Sequence, residues 1–284
     1  MNITTENKAT LIADSGATKT DWCLIQGGDI IKRFIGKGIS PIFQTQDEIS
    51  EEVKQFVYPN FNKWNIDAIH FYGTGCIPEK IPAVRNALHN SFPIEVIDVY
   101  SDLVAAAHSL CGRTSGIACI LGTGSNSCEW DGDGIVNQIS PLGFILGDEG
   151  SGASLGKKLV GDALKNQLTP GLKEAMLEEF NLTPTTIIDK VYRQQFPSRF
   201  LASLSPFINA NLADETIKRI VVNSFTEFFE RNIMQYNYKE NRVNFVGSIA
   251  WYYSGILRDI AQKMGIEIGK IIKSPMDGLV EYYS

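Results

Sequence analysis

Apolar and polar positions along the chain follow two rhythms, an alternation of period two and a helical spacing of about 3.6. Thr10 to Ala13 is a short apolar run and predicts a buried strand. Asp21 to Gln26 predicts a returning strand, Gly27-Gly28-Asp29 a hairpin turn, and Ile30 to Ile35 a third strand. From Asp47 to Val57 the spacing puts Ile49, Val53, Phe56 and Val57 on one helical face. Ala68 to Tyr72 reads as a strand that ends at Gly73-Thr74-Gly75, and Glu79 to Asn90 as a helix entered just beyond Pro78. A strand from Ile94 to Val99 follows, then a helix from Ser101 to Leu110 with Ser101 placed to cap it.

The order restarts at Gly116. Ile117 to Leu121 predicts a strand, Cys128 to Trp130 belongs to its return, Gly132-Asp133-Gly134 repeats the hairpin turn, and Ile135 to Ile139 makes the third strand. Gly16 and Gly124, like Trp22 and Trp130, are 108 positions apart. The repeated order of elements is stronger evidence of duplication than those two matches. Helices are expected over Gly150 to Lys165, Leu172 to Glu179, Thr185 to Gln194, Phe200 to Ala210 and Asp214 to Ile233. Val243 to Val246 predicts a late strand, Gly247-Ser248 a turn, and Ile249 to Met264 a helix, while Ile266 to Ser284 fits either element type. The expected domains are residues 1–112 and 113–284, the second with a helical insertion at about 165–240, joined near Leu110 to Ser115 without a low-complexity linker.

Composition narrows the class. With 44% hydrophobic and 20% charged residues the chain reads as an ordinary globular protein. A formal net charge of −6 and scattered Lys and Arg argue against a nucleic-acid binder. No apolar run approaches the ~20 residues of a spanning helix, and the polar start from Met1 to Lys8 is no targeting signal, so a cytoplasmic location without membrane attachment is expected. Cys23, Cys76, Cys111, Cys119 and Cys128 are odd in number and lack C-x-x-C spacing, which points to reduced thiols. His70, His89 and His108 show no metal spacing and read as structural.

Chemistry concentrates in two turns, each between strands. In Asp14-Ser15-Gly16-Ala17-Thr18-Lys19-Thr20, small residues let the backbone approach a phosphate, Thr18 and Thr20 add hydroxyls, and Lys19 adds charge. Asp14 could hold a water of hydrated Mg²⁺. The same residues also suit an ordinary hairpin that satisfies its own backbone. In Leu121-Gly122-Thr123-Gly124-Ser125-Asn126-Ser127, two glycines within three positions carry an entropic cost that a plain hairpin does not require. Neither turn matches the P-loop or the dinucleotide fingerprint. Asp102, at a helix start just after a strand, is placed either as a general base or as a simple dipole partner. Asp148 and Glu149, within Gly147-Asp148-Glu149-Gly150-Ser151-Gly152, either orient a polar substrate or complement a helix N-terminus. Gly247-Ser248 is a strand-to-helix turn with room for a flat ring.

Together these pieces resemble the actin/hexokinase/Hsp70-like ATPase superfamily. The two turns look like its phosphate loops, and Val246-Gly247-Ser248-Ile249-Ala250 like its adenosine motif. From Leu11 to about Ala261 the chain is most similar to N-acetylglucosamine kinase and the BadF/BadG/BcrA/BcrD-type ATPase family. The resemblance implies an α/β fold of two ribonuclease-H-like lobes, each a mixed five-stranded sheet with helices on both faces, and a cleft holding ATP and Mg²⁺. It implies that Asp102 deprotonates a sugar 6-hydroxyl. Gly16, Ala17, Thr18, Lys19, Gly122, Gly124, Ser125, Gly247 and Ser248 would contact nucleotide. Thr123, Asn126, Asp148 and Gly75 would contact sugar, and Asp14 would reach the metal through water. Homodimers are common among such kinases. The chain departs from the kinase pattern in Gly38-Ile39-Ser40-Pro41-Ile42, where the sugar-binding asparagine is lost, and in Gly73-Thr74-Gly75-Cys76, where the serine is not evident, so the sugar is left open. A partner-activating ATPase with an iron–sulfur cluster is disfavoured because residues 147–156 hold no cysteine. A non-catalytic nucleotide or sugar sensor stays as an alternative.

Overall fold

The computed structural model describes residues 8–16 and 18–284. The chain forms two units, one running up to Gly112 together with Pro275–Ser284, the other Arg113–Ser274. Among the described residues each unit holds one five-stranded sheet. The first contains β1 (Ala9–Ser15), β2 (Lys19–Gln26), β3 (Asp29–Lys37), β4 (Ile66–Gly73) and β5 (Val96–Ser101), in the order β3-β2-β1-β4-β5. The second contains β6 (Gly116–Leu121), β7 (Ser125–Trp130), β8 (Ile135–Asn137), β9 (Val243–Val246) and β10 (Ile268–Ile272), in the order β10-β9-β6-β7-β8. In both sheets the first three strands pair antiparallel and the last two run parallel to the first. This is the ribonuclease-H-like arrangement, present twice, and the repeat read from the first three strands extends to five.

Alternation explains the layers of the first unit. Leu11, Ala13, Trp22 and Leu24 point to one face, where Ile49, Val53, Phe61 and Val84 of the helical segments cover them. Ile12, Cys23 and Ile25 point to the other, against Ala105, Met276 and Leu279. A strand covered on both faces has no polar side, which is why β1 reads as an apolar run rather than an alternating one. In the second unit Ile117, Cys119, Leu121, Val243 and Phe245 share a large core with the helices Gly152–Leu164 and Glu215–Arg231.

Several elements differ from expectation. The helix expected over Asp47 to Val57 runs Gln46–Glu52, passes through a π-turn at Val53–Val57 and continues to Phe61. The wider turn shifts the face, so Ile49, Val53 and Val57 are buried while Phe56 is exposed. The single helix expected over Phe200 to Ala210 is two, Pro197–Ala202 and Ser205–Ala210, because Pro206 has no N–H to continue the first. The helix expected over Ile249 to Met264 also divides, into Ser248–Tyr252 and Ser254–Lys263. Between them Tyr253 is buried and its hydroxyl donates to the Ser205 carbonyl at 2.9 Å. Gly143–Leu146 forms a short helix that the pattern did not announce. The last residues, expected in the second domain, form the helix Met276–Tyr283, whose apolar face packs in the first unit.

Candidate active site

The first unit gathers polar groups where β1, β4 and β5 end side by side. Ser15 pairs with Gly73, and Gly73 with Ser101, so the three chain exits are adjacent. This carboxyl edge is where open α/β sheets bind ligands. Gly16 N donates to the Lys19 carbonyl at 3.0 Å and closes the β1–β2 turn. Ala17 lies outside the described residues. Thr18 and Lys19 are exposed. Ser15 and Thr20 are not: their hydroxyls meet at 2.7 Å, Ser15 Oγ donates to the Ile39 carbonyl at 2.9 Å, and Thr20 Oγ1 donates to the Lys37 carbonyl at 2.8 Å. For Thr20, expected as a ligand donor, the hairpin-bracing alternative is the observed one.

Asp102 opens the helix Asp102–Cys111, and Ser101 caps that helix by accepting from Val104 N at 3.3 Å. Thr74 Oγ1 donates to Asp102 Oδ2 at 2.8 Å. Burial raises the Asp102 carboxyl above its usual range, and the bonds from Thr74 and from the Leu103 amide act against that rise. Burial also lifts Asp14, to about 7, reinforced by repulsion from Asp102 and Asp21 and opposed by Lys19. Gly75 has φ 84°, and a Cβ there would meet Ile42 at 2.6 Å. The turn after β4 therefore needs glycine for backbone reasons, whatever else Gly75 touches.

The second unit repeats the device. Gly122 N donates to the Gly124 carbonyl at 3.0 Å, closing the β6–β7 turn. The helix Gly152–Leu164 is tied to that turn, since Gly152 N donates to Gly122 O at 2.8 Å and Ala153 N to Thr123 O at 3.0 Å. Thr123 itself is exposed, Ser125 is buried, and Asn126 is half-buried with its Oδ1 accepting from Ser127 N at 2.9 Å. Asp148 lies beneath this turn: its Oδ1 accepts from Ser125 N at 3.3 Å, and a Cβ on Gly124 would come within 3.1 Å of its carboxylate. Asp148 is 8% exposed with φ 54°, a left-handed conformation that a non-glycine residue rarely adopts. Burial raises its carboxyl above the usual range against the Ser125 bond. Gly247, at the end of β9, has φ 126°, and a Cβ there would stand 2.2 Å from the Leu121 carbonyl oxygen. It lets the β9 exit lie against the start of the turn, with Ser248 exposed beside it.

Thus Asp14, Gly16, Thr18, Lys19, Gly75 and Asp102 come together in the first unit, and Gly122 to Asn126 with Asp148 in the second, Gly247 and Ser248 beside them. Two partners were not legible in the sequence. Thr74 was visible only as part of a turn. Arg231, which pairs with Glu149 at 2.6 Å, gave no signal at all, being 82 positions away.

No family model matches the chain. A crystal structure from Porphyromonas gingivalis, of a protein provisionally named N-acetylglucosamine kinase, is 45% identical and superposes with a TM-score of 0.94 over 96% of this chain and 98% of that one. A second, from Chromobacterium violaceum with the same provisional name, is 16% identical with a TM-score of 0.73 over 98% of this chain and 100% of that one, a likeness of fold. The N-acetyl-D-glucosamine kinase of Dictyostelium discoideum is 27% identical over 216 residues, 72% of this chain and 66% of its own length, just under two thirds. With two ribonuclease-H-like sheets and a relative matched at 45% identity over nearly its whole length, the chain belongs to the family of that Porphyromonas gingivalis protein, within the actin/hexokinase/Hsp70-like ATPase superfamily.

Proposed function

We propose that the chain is an ATP-dependent kinase of an amino sugar, with N-acetylglucosamine as acceptor and its 6-hydroxyl as the phosphorylated group. The observation that carries this reading is the Asp102 carboxylate held by Thr74 at the carboxyl edge of the first sheet. A carboxylate raised by burial and held by the Thr74 hydroxyl and the Leu103 amide suits a general base for a hydroxyl. The names of the relatives favour an amino sugar over other acceptors.

Phosphoryl transfer asks a protein for positioning and charge stabilisation. In this reading Gly16, Ala17, Thr18 and Lys19 of the β1–β2 turn, and Gly122, Gly124 and Ser125 of the β6–β7 turn, are the phosphate-binding groups of the nucleotide. Gly247 and Ser248 carry the adenosine. Thr123, Asn126, Asp148 and Gly75 face the sugar, and Asp102 accepts the hydroxyl proton as the oxygen attacks. Among the described residues no group of three or more acidic, His or Cys side chains gathers to ligate a metal directly, so a hydrated Mg²⁺ would be held through water, by Asp14, a buried carboxylate that stands near those of Asp102 and Asp21. Bound with ATP, the cation neutralises charge on the β- and γ-phosphates.

The test is ADP release across hexoses, amino sugars and N-acetylated amino sugars. N-acetylglucosamine is expected to give the highest kcat/KM. Asp102→Asn is expected to lower kcat by about 10²–10⁴-fold while leaving ATP affinity near that of the wild type. Release that no sugar accelerates, or an unimpaired Asp102→Asn, overturns the assignment.

A further inference from the structure

The turn carrying Asp148 is bonded to the helix Glu215–Arg231 and to the residue that follows it. Gly150 N donates to Ser224 Oγ at 3.2 Å, and Ser224 is fully buried. Glu149 Oε1 meets Arg231 Nη1 at 2.6 Å, and Glu149 Oε2 accepts from Asn232 Nδ2 at 3.5 Å. Ser224 and Arg231 belong to the helix Glu215–Arg231, and Asn232 follows it directly. Glu149 is 6% exposed, so its charge needs these partners. A cavity of about 250 Å³ borders Glu149, Arg231, Asn232, Pro141 and Leu142. On that side the carboxylate is therefore held by its two polar partners rather than by close packing. Asp148 N also donates to the Pro141 carbonyl at 2.9 Å on the same loop.

The geometry points to Glu149 as a positioning residue: its pairing with Arg231 and Asn232 locks the turn in which Asp148 keeps its left-handed backbone and reaches the Ser125 amide. Asp148 and Glu149 are neighbours with opposed duties, one facing the β6–β7 turn and the other anchored to the helical insertion. The insertion thereby sets where the acceptor-binding carboxylate stands. This rests on the reading of Asp148 as an acceptor ligand.

Three variants of the full chain test it: Glu149→Gln, Arg231→Ala and Arg231→Lys. Glu149→Gln and Arg231→Ala are expected to raise KM for N-acetylglucosamine by about tenfold or more, with KM for ATP near the wild-type value. Arg231→Lys restores part of the loss, and the Glu149→Gln/Arg231→Ala double variant is no worse than the poorer single one. Hydrogen exchange at the Asp148, Glu149 and Gly150 amides is expected to speed up in the same two variants, with the β6 amides unchanged. Unchanged exchange in that turn overturns the positioning role whatever the kinetics. Faster exchange with unchanged acceptor KM overturns it too, and puts the fault in the reading of Asp148. Faster exchange throughout the second unit, with a general fall in Tm, reduces Glu149 to a structural residue and also overturns it. A wild-type chain that no sugar activates would sink the kinase reading itself, and the exchange rates alone then decide whether Glu149 clamps the turn.

Discussion

Asp14, proposed to reach a metal through water, carries a cost for the fold. Its carboxyl is raised to about 7, chiefly by burial. Between its ordinary value and 7 the folded chain binds a proton that the unfolded chain releases, so stability falls as pH rises through that window. In metal-free protein, Asp14→Asn is expected to raise Tm at pH 8 by about 3–6 °C and to have little effect at pH 4, as read by calorimetry. Thr74 works in the opposite direction on Asp102, since its hydrogen bond lowers that carboxyl. Thr74→Val removes the donor at nearly constant shape. The acidic limb of the kcat/KM profile should then move to higher pH, with kcat reduced about tenfold at neutral pH. A profile that stays in place would deny the bond a role in tuning the base. Asp102 and Asp148 were legible as single residues, because acids at strand exits and between glycines are conspicuous. Their pairings were not, since Thr74 meets Asp102 only once β4 and β5 lie side by side, and Ser125 meets Asp148 only when the loop before the helix Gly152–Leu164 folds under the β6–β7 turn.

Elements built on one uninterrupted rhythm were read well. The strand Val243–Val246 and the helix Leu172–Glu179 lie where the pattern put them. Elements with an internal defect were misread in ways that local chemistry explains. The π-turn at Val53–Val57 rotates Phe56 out, and Pro206 and the buried Tyr253 each interrupt a continuous helical spacing. The exit of β9 depends on a single glycine. Gly247→Ala forces a Cβ into the Leu121 carbonyl at an unfavourable φ. It is expected to cost about 1–3 kcal/mol of stability and to weaken ATP binding more than acceptor binding. Denaturant titration and the two KM values check this, and equal losses for both substrates would contradict the adenosine assignment.

The first unit is completed by the far end of the chain. Helix Met276–Tyr283 buries Met276, Leu279 and Val280 with Ile12, Cys23 and Ile25, and Arg33 pairs with Asp277. Tyr72 OH lies 2.7 Å from His108 Nδ1 and 2.6 Å from Tyr283 OH, while the His70 and Tyr283 rings stack at 3.9 Å. His70 and His108 thus take part in the packing around this helix. Leu279→Ala should destabilise the first unit by about 2–4 kcal/mol, and a chain ending at Ser274 by more. Calorimetry should show the loss, and hydrogen exchange should place it in the first unit, with the core of the second retaining its amide protection. Periodicity, glycine turns and the repeated order of strands determined from the sequence alone that an order of three strands occurs twice and where its turns lie, because those signals are local. Which acid meets which donor, which helix grips the Asp148 turn, and which unit receives the last ten residues were decided only by tertiary structure. Those contacts join positions dozens to hundreds of residues apart, and no local pattern records them.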